Sequence, residues 1–423
     1  MKFKAQAKQN QQLERISTQH IVVGIDIAQQ THVARAVNYR GILLGTPLHF
    51  SNDDAGFNQL LQWMKDLQKT HQLNDTIIGM EPTGHYWLSL AAWLKDRSLE
   101  VVLVNPHLVK KNKENRDNTP SKSDVKDAFV IADMVKNGYY TFIKETGEVF
   151  MELRVLMANR ETIVHRLVSV KNQIHRWVDI VFPELRQVYK HLIGSGSLAT
   201  LRLFPTPADL QKLTIRQVID GWKTVMKRHS GERRAAELLA LARRSVGAKH
   251  ADKAYKLHLQ QLLAEYDLAM EQLQVIEDEV AAALTRIPLA KPLLAMKGMS
   301  NLSVAGILGE AGDLSGYAHG NALLRHAGLN LAEASSGKWK GQMSISKRGR
   351  PRLRHALFMA TMALILNDEA FKRQHEANVK TKSMKPMRSV MKLCGKLARL
   401  LVAMAQSGEA YDPGRTLPIN QAA

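Results

Sequence analysis

Residues 21–26 read Ile-Val-Val-Gly-Ile-Asp, an unbroken apolar run that ends in a carboxylate. Residues 76–81, Thr-Ile-Ile-Gly-Met-Glu, repeat this pattern and also end in an acid. Both runs are short, rich in β-branched residues and bounded by breaking residues, so we predict that they are buried strands. Asp26 and Glu81 would then lie at the edge of a sheet, where α/β domains usually bind their ligands.

A second pair of acids, Asp124 and Asp127, lies in Ser-Lys-Ser-Asp-Val-Lys-Asp-Ala at the start of a predicted helix. Their spacing puts both carboxylates on one helical face, roughly 5–6 Å apart at Cβ. Any one of the four acids could equally be a turn or capping residue, and Asp124 could simply cap its helix. Four convergent carboxylates, however, repel one another unless a hard cation compensates them, and oxygen ligands suit Mg²⁺ or Mn²⁺. Together they predict a metal site.

The composition points to a nucleic-acid partner. The 423 residues include 59 Lys and Arg against 39 Asp and Glu, a net charge of +20 that suits a polyanion. A hydrophobic content of 45% excludes wholesale disorder, and the single Cys394 excludes a disulfide framework. The first twenty residues lack an apolar signal core, and no run approaches about 18 apolar residues. We therefore expect a cytoplasmic protein with no membrane span that performs metal-assisted phosphodiester chemistry.

The order of predicted elements favours one fold for the first 145 residues. Strands are predicted at 21–27, 32–37, 43–50, up to Glu81, and 101–104, with helices at 56–67, at 87–94 and at the second acid pair. Three strands followed by alternating helix and strand is the order of the ribonuclease H fold, which also places acids on its first and fourth strands and last helix. The Lys- and Asn-rich stretch 110–126 is predicted to be a mobile basic loop that leads into the site.

Two long amphipathic segments follow, at 153–181 and 259–287, each with apolar residues at a spacing of three and four. Only Arg160 breaks the first pattern. The spacing predicts a helical hairpin or a coiled coil, and with it self-association, although ordinary core helices would show the same pattern. A segment punctuated by Pro and Gly, at about 190–250, separates them. We therefore expect three domains: an α/β domain at 1–145, coiled-coil helices at 146–287 and a mostly helical domain at 288–423.

The last domain is strongly basic. Between residues 338 and 399 sixteen Lys and Arg face three acids, a bias that a solvated helix face does not normally show. The predicted nucleic-acid-binding residues are those around a Ser-Ser-Gly motif: Lys338, Lys340, Lys347, Arg348, Arg350, Arg352 and Arg354. Nearer its start, residues 292–308 fit either a helix-hairpin-helix, which would offer N–H groups to phosphates, or a plain helical turn.

The motif Ser335-Ser336-Gly337 stands on a loop surrounded by Lys and Arg. A serine hydroxyl in such a place is suited to attack on a phosphodiester, because the cations would stabilise charge developing on the phosphorus. A phosphate-binding or linker loop is the more common meaning of the same three residues.

Taken together, these motifs resemble the DEDD transposases of bacterial insertion-sequence family 110, in its 1111-like branch, also called bridge-RNA-guided recombinases. The resemblance covers nearly the whole chain. It rests on Gly24-Ile25-Asp26, Glu81-Pro82-Thr83-Gly84, Asn105-Pro106 with Asp124-Val125-Lys126-Asp127-Ala128, and Ala327-Gly328-Leu329 through Ser336-Gly337 to Ser346-Lys347-Arg348-Gly349. It implies a RuvC-like domain joined through a coiled coil to a transposase domain with a catalytic serine. The implied catalytic residues are Asp26, Glu81, Asp124 and Asp127, which would also bind the metal, and Ser336, with Ser335 as the nearest competitor.

The mechanism implied by the resemblance is recombination of donor and target DNA guided by a structured bridge RNA. It implies a tetramer, built as a dimer of dimers, in which acids of one subunit complete the site around the serine of another. Carboxylate-bound Mg²⁺ would activate the serine, and a phosphoserine–DNA intermediate would conserve the bond energy for rejoining. Two rivals stay open: a Holliday-junction-type nuclease that activates water with the acids alone, and a non-catalytic nucleic-acid-binding regulator.

Overall fold

The computed structural model describes residues 2–116, 123–143, 146–226, 231–332, 335–336, 339–340 and 343–416. The chain divides into two compact units, Met1–Glu145 and Thr146–Ala423. The first unit is mixed α/β and the second is mainly helical, so the predicted change of structural class along the chain is confirmed. The prediction of three domains stays a prediction.

The described part of the first unit consists of the following elements in chain order: α1 (Lys2–Glu14), β1 (His20–Asp26), β2 (Thr31–Val37), β3 (Leu43–Ser51), α2 (Asp54–His71), β4 (Asp75–Met80), α3 (Trp87–Asp96), β5 (Glu100–Leu103), α4 (Pro106–Arg116), α5 (Asp124–Lys136) and β6 (Thr141–Phe142). Every strand and helix predicted for this region is present. Helix α1 and the two-residue strand β6 were not predicted.

The strands form one mixed sheet in the order β3-β2-β1-β4-β5-β6. Strand β1 pairs in parallel with β4, and β4 in parallel with β5, while β1–β2, β2–β3 and β5–β6 are antiparallel. Helices cover both faces, which explains why the 21–25 run is apolar without alternation. Ile21, Val23 and Ile25 belong to the core with α2 and α3, whereas Val22 belongs to the opposite core with α4 and α5.

The prediction of a mobile loop at 110–126 is wrong for residues 110–116, which belong to helix α4, and for residues 124–126, which begin helix α5. Pro106 occupies the first turn, and the Asn105 Oδ1 accepts a hydrogen bond from the His107 N–H at 2.9 Å. Asn before Pro is a helix-start signal. Val109 anchors the helix, since it is 1% exposed in the core beneath it. The Lys- and Asn-rich composition concealed this helix, whose sequence has little apolar periodicity. Residues 117–122 lie outside the described residues.

The described part of the second unit consists of α6 (Glu148–Val181), α7 (Leu185–Val188), α8 (Ser195–Leu203), α9 (Pro207–Gln211), α10 (Ile215–Val225), α11 (Glu232–Arg243), α12 (Asp252–Thr285), α13 (Ala290–Leu294), α14 (Asn301–Ala311), α15 (Gly320–His326), β7 (Leu331–Ala332), β8 (Ser335–Ser336), β9 (Trp339–Lys340), β10 (Ser344–Ile345), α16 (Pro351–Asn367), α17 (Glu369–Glu376), a π-helical turn (Ala377–Thr381), α18 (Pro386–Ser407) and α19 (Pro413–Thr416).

Helices α6 and α12 pack on each other as an antiparallel hairpin within the chain. Near one end the Trp177 Nε1–H donates to the Tyr255 carbonyl at 2.9 Å. Towards the other end, Arg160 donates twice to Glu277 Oε1, at 3.0 and 2.8 Å. The residue that interrupts the first apolar pattern is therefore an ion-pair partner in this hairpin. Both predicted apolar seams are buried inside one chain. Of the two alternatives, hairpin or coiled coil between chains, the seams therefore form the hairpin and are not free to bind a second copy.

The hairpin passes through two separate cores. One half packs with α13–α18, and the other half packs with α7–α11, the insert lobe of residues 185–243. The insert lobe is organised around Trp222, whose Nε1–H donates to Thr200 Oγ1 at 2.9 Å in its buried centre. Residues 292–308 form the end of α13, a turn and most of α14, with the Ser300 side chain capping α14 by accepting from the Ser303 N–H.

Candidate functional site

Strand register brings the first two predicted acids together. In the parallel pair β1–β4, Ile25 lies opposite Met80, and Asp26 and Glu81 are the residues that follow them. Parallel neighbours end at the same edge of a sheet, so both carboxylates emerge there. Asp26 is the last residue of β1, and Glu81 comes directly after β4.

Two glycines bring the helix with the other acids onto this edge. Gly24 and Gly79 lie opposite each other in the β1–β4 register, on the face that helix α5 covers. A Cβ at Gly24 would lie 2.1 Å from the Ala128 carbonyl oxygen, and one at Gly79 would lie 2.4 Å from Val135 Cγ2. No Cβ tolerates such distances, so only glycine permits this close approach of helix to sheet. Because α5 begins at Asp124, its first turn then reaches Asp26.

Asp26, Asp124 and Asp127 form a compact acidic cluster, with one carboxylate oxygen from each lying within 4.8 Å of the others. Asp127 is buried, Asp26 is partly buried and Asp124 is exposed. Burial raises the pKa of Asp26 to about 6, and the charges of Asp127, Asp124 and Glu81 add to this rise. A site of this kind favours a cation. The oxygen-only donor set fits a hard divalent ion such as Mg²⁺ or Mn²⁺.

Glu81 lies beside this cluster but is not one of its three members. Its Oε1 accepts a hydrogen bond from Thr83 Oγ1 at 2.5 Å, within the Glu81-Pro-Thr-Gly turn. Its charge makes the smallest of the contributions that raise the pKa of Asp26, after burial, Asp127 and Asp124. The structure thus brings three of the four predicted acids into one cluster and places the fourth at the end of the adjacent strand.

Lys113 belongs to the site and was missed by sequence reasoning. It lies on α4, and its Nζ forms an ion pair with Asp127 Oδ2. Its positive charge also lowers the pKa of Asp26, against the effect of burial and of the other acids. The available signal was the helix start at Asn105-Pro106, because a helix from there places Lys113 beside α5 rather than in a solvated loop.

The predicted nucleophile lies in a small β segment of the second unit. Ser336 pairs with Trp339 and Ser335 with Lys340 in the antiparallel ladder β8–β9, while β7 pairs with β10. The side chains of both serines lie outside what the structure describes. That Ser336 Oγ comes close to the acids therefore stays a prediction, and so does the assignment of Ser336 as the nucleophile.

The two ends of this serine segment are held together by hydrogen bonds. Ser346 Oγ donates to Asn330 Oδ1 at 2.8 Å, and the Ser346 N–H donates to the Asn330 carbonyl at 2.9 Å. From helix α16, Arg354 donates to the Ala327 carbonyl at 2.9 Å and to the Lys347 carbonyl at 3.3 Å. These bonds join the strand-like flanks at the base of the segment.

The seven predicted nucleic-acid-binding residues differ in their surroundings. Arg350 pairs with Glu310 at 3.1 Å and Arg352 with Glu161 at 2.7 Å, while Arg354 binds the two carbonyls named above. Lys347 and Arg348 are exposed. Lys338 lies outside the described residues, and for Lys340 only the backbone, in β9, is described. Part of this set is therefore engaged within the protein.

Helix α18 carries a further set of basic residues on one face. Spacings of four, four and three place them along a single stripe: Arg388, Lys392, Lys396 and Arg399. Across the described ranges, none of the four belongs to an ion pair, and residues 377–408 contain no acid. Like charges at this spacing are mildly destabilising by themselves. We call these four residues the α18 stripe.

In the part of the chain that the structure describes, no helix combines the length and the apolar character that crossing a bilayer requires.

Comparisons with known proteins match both regions. Residues 23–183, which include all four acids, match a family model described as transposase, of the DEDD type of IS110. Residues 290–376, which include Ser336, match the model of the transposase IS116/IS110/IS902 family. Together these two models span more than half of the chain.

Relatives extend the match over nearly the full length. The chain is 25% identical to the 44.8 kDa protein of insertion element IS116 from Streptomyces clavuligerus, over 96% of this chain and 100% of that protein. It is 26% identical to the IS117 mini-circle protein of Streptomyces coelicolor, to which a transposase role is ascribed, over 75% of this chain and 78% of that protein. It is 22% identical to the 42 kDa protein of insertion element IS900 from Mycobacterium paratuberculosis, over 70% and 74%. With its acids gathered at a sheet edge and both family models matched, the chain belongs to the IS110 family of DEDD transposases, which are DNA recombination enzymes.

Proposed function

We propose that this transposase cuts and rejoins donor and target DNA through a phosphoserine intermediate at Ser336, with the help of a divalent ion held by Asp26, Glu81, Asp124 and Asp127. The observation that carries the proposal is the cluster of Asp26, Asp124 and Asp127, whose oxygens lie within 4.8 Å of one another. Uncompensated, this cluster costs free energy. A catalytic role explains why a protein of net charge +20 keeps it.

The proposed fold of the first unit is RuvC-like, that is, a ribonuclease H fold. The strand order β3-β2-β1-β4-β5 supports it, with three antiparallel strands first and parallel strands after them. The acids stand on the first strand, after the fourth strand and on helix α5, as that fold requires. The single additional strand β6 extends the sheet at its far edge.

The role of the acids would be to bind the ion and to fix its position. When bound, a divalent ion there would neutralise the carboxylates and polarise a phosphate oxygen. Asp127 would supply a buried oxygen and Asp124 an exposed one. Glu81 would turn from Thr83 toward the ion. The three-domain division of the chain, at 1–145, 146–287 and 288–423, is part of the same proposal.

The proposed covalent step is a transesterification. Ser336 Oγ attacks a DNA phosphorus, a new Oγ–P bond forms, and one P–O bond of the DNA backbone breaks. The proton of the serine ends on the DNA hydroxyl that is released. Rejoining is the reverse reaction with a hydroxyl of another strand, so no external energy source is needed. Lys347 and Arg348 follow the segment that carries Ser336, where cations would stabilise charge on the phosphorus.

We propose DNA as the main partner of the α18 stripe and of the basic residues around Ser336. RNA guidance rests on the resemblance in sequence motifs, and the net charge of +20 suits a polyanion such as a structured bridge RNA. The tetramer rests on the same resemblance. Because the apolar seams of α6 and α12 are buried within one chain, such a tetramer would use other faces of these helices. The enzyme would act on DNA in the nucleoid.

The experiment that tests the proposal looks for the covalent adduct. The full chain is incubated with Mg²⁺, end-labelled DNA that carries an element junction, and a transcript of the non-coding DNA that flanks the reading frame. Denaturing electrophoresis should show a protein–DNA adduct that peptide mapping places on Ser336. Ser336→Ala should abolish adduct and recombination without weakening DNA binding, because the basic surface is unchanged.

The matched control is Ser335→Ala, which removes a neighbouring hydroxyl in the same ladder and should retain the adduct. Cleavage without any adduct would instead favour the Holliday-junction-type nuclease, in which the acids activate water. An adduct that maps to another residue, or recombination by the Ser336→Ala variant, would refute the serine assignment.

A further inference from the structure

Lys113 contacts the buried member of the acidic cluster. The lysine is partly exposed on α4, whereas the Asp127 carboxylate that it contacts is buried at the start of α5. The ammonium group lies against Asp127 Oδ2, and its charge acts on Asp26 as well, opposing the repulsion from the other acids. A single tethered cation therefore compensates part of the negative charge of the cluster.

The ammonium group and an ion held by the cluster would both need the Asp127 carboxylate. An oxygen that accepts a charge-assisted hydrogen bond from Lys113 has fewer lone-pair directions free for a divalent ion. A positive charge next to the cluster also repels any second cation. The contact therefore stabilises the ion-free protein and opposes ion binding.

We propose that Lys113 is a resident counter-ion of the acidic cluster, which a divalent cation displaces from Asp127 when it binds. This inference rests on the metal-binding part of the proposed function. The displaced ammonium group stays at the rim of the site on the same helix as the exposed Lys110 and Lys111. It is then free to meet a DNA phosphate, so that ion binding and substrate binding are coupled through one side chain.

The test measures binding of MgCl2 and MnCl2 to the full chain by isothermal titration calorimetry, without DNA. Lys113→Gln removes the counter-ion and should bind the ions roughly fivefold more tightly than the unsubstituted protein. Lys113→Arg keeps the charge and can hold Asp127 through two N–H groups, so it should bind them more weakly. The matched control is Lys111→Gln, which has the same charge change on the same helix and should bind like the unsubstituted protein.

Thermal unfolding in chelator provides a second readout. Lys113→Gln should melt below Lys111→Gln without ions, and the difference should close in saturating Mg²⁺. Equal ion affinities for the Gln, Lys and Arg forms would overturn the role of Lys113 while leaving the metal site intact. If the unsubstituted protein bound neither ion, both the metal assignment and the displacement would fall. If Lys113→Gln does not fold, the weaker binding expected of Lys113→Arg still decides the question.

Discussion

The two regions that carry the predicted catalytic groups are built in different ways. The acids of the first unit lie at the end of a central strand and in the first turn of a helix that two opposed glycines bring against the sheet. Ser336 of the second unit lies in a two-residue ladder, within a segment that hydrogen bonds join at its base. A site fixed by sheet register is preorganised before any substrate binds. The backbone of Ser336, by contrast, depends on a two-residue ladder and on hydrogen bonds at the base of its segment, not on the register of a large sheet.

The largest effect should come from removing two charges of the acidic cluster. Asp124→Asn together with Asp127→Asn should lower strand cleavage by roughly a thousandfold or more, because several kcal/mol of charge stabilisation are lost. DNA binding should be retained, since the basic residues of the second unit are unchanged. Cleavage is measured on labelled DNA and binding by filter retention. Asp66→Asn, which changes an exposed acid on α2, is the control. Full cleavage by the double variant would end the metal-site assignment.

An intermediate loss of cleavage is expected from a substitution at Gly24, where the absence of a side chain lets helix α5 approach the sheet. Gly24→Ala would press a Cβ against the backbone of α5, and overpacking of this kind costs about 1–3 kcal/mol. Since the clash pushes the first turn of α5 away from Asp26, cleavage should fall further than the melting temperature alone explains. Gly316→Ala, at an exposed turn where a new Cβ would lie 3.8 Å from the Asp313 carbonyl oxygen, an ordinary contact, should change neither quantity. A Gly24→Ala enzyme with normal stability and normal cleavage would show that the helix can shift without cost.

The smallest effect should come from the α18 stripe, and it should appear in the salt dependence. Arg388→Gln together with Lys392→Gln removes two cations that form no ion pair within the described structure. If both contact phosphates, the slope of log affinity against log salt should decrease by about two, because each contact contributes about 0.9. Arg186→Gln together with Arg202→Gln changes the net charge equally but removes cations already paired with Asp179 and Asp267. This control pair should leave the slope nearly unchanged. Equal slopes for the two double variants would exclude the stripe as a DNA contact.

Sequence was a good guide where chemistry and periodicity agree. An apolar run that ends in Asp26 or Glu81 predicts both a strand and an acid at its edge, and the parallel register then follows from the element order. Sequence was a poor guide where one pattern serves two structures. The apolar seams of α6 and α12 have the same spacing in a hairpin and in a dimer, and only the packing distinguishes the two.

The composition also concealed which acids the individual Lys and Arg residues contact. Lys113 lies in a stretch so rich in Lys and Asn that a loop seemed the natural prediction, yet the capped start at Asn105-Pro106 makes it helical and brings Lys113 to Asp127. The same limit applies to Arg350 and Arg352, because a count of basic residues does not tell a cation facing solvent from one that is paired with Glu310 or Glu161.

The insert lobe stands at the turn of a hairpin and has a core of its own, apart from the one that α12 shares with α14, α16 and α18. The chain can therefore change in length at this point without disturbing the basic half of the second unit. The entropic cost of such a change is small, since doubling a connecting loop costs only about 0.6 kcal/mol. In evolutionary terms, related elements could therefore exchange this lobe for another at the turn of the hairpin and keep the packing of α13–α18 unchanged.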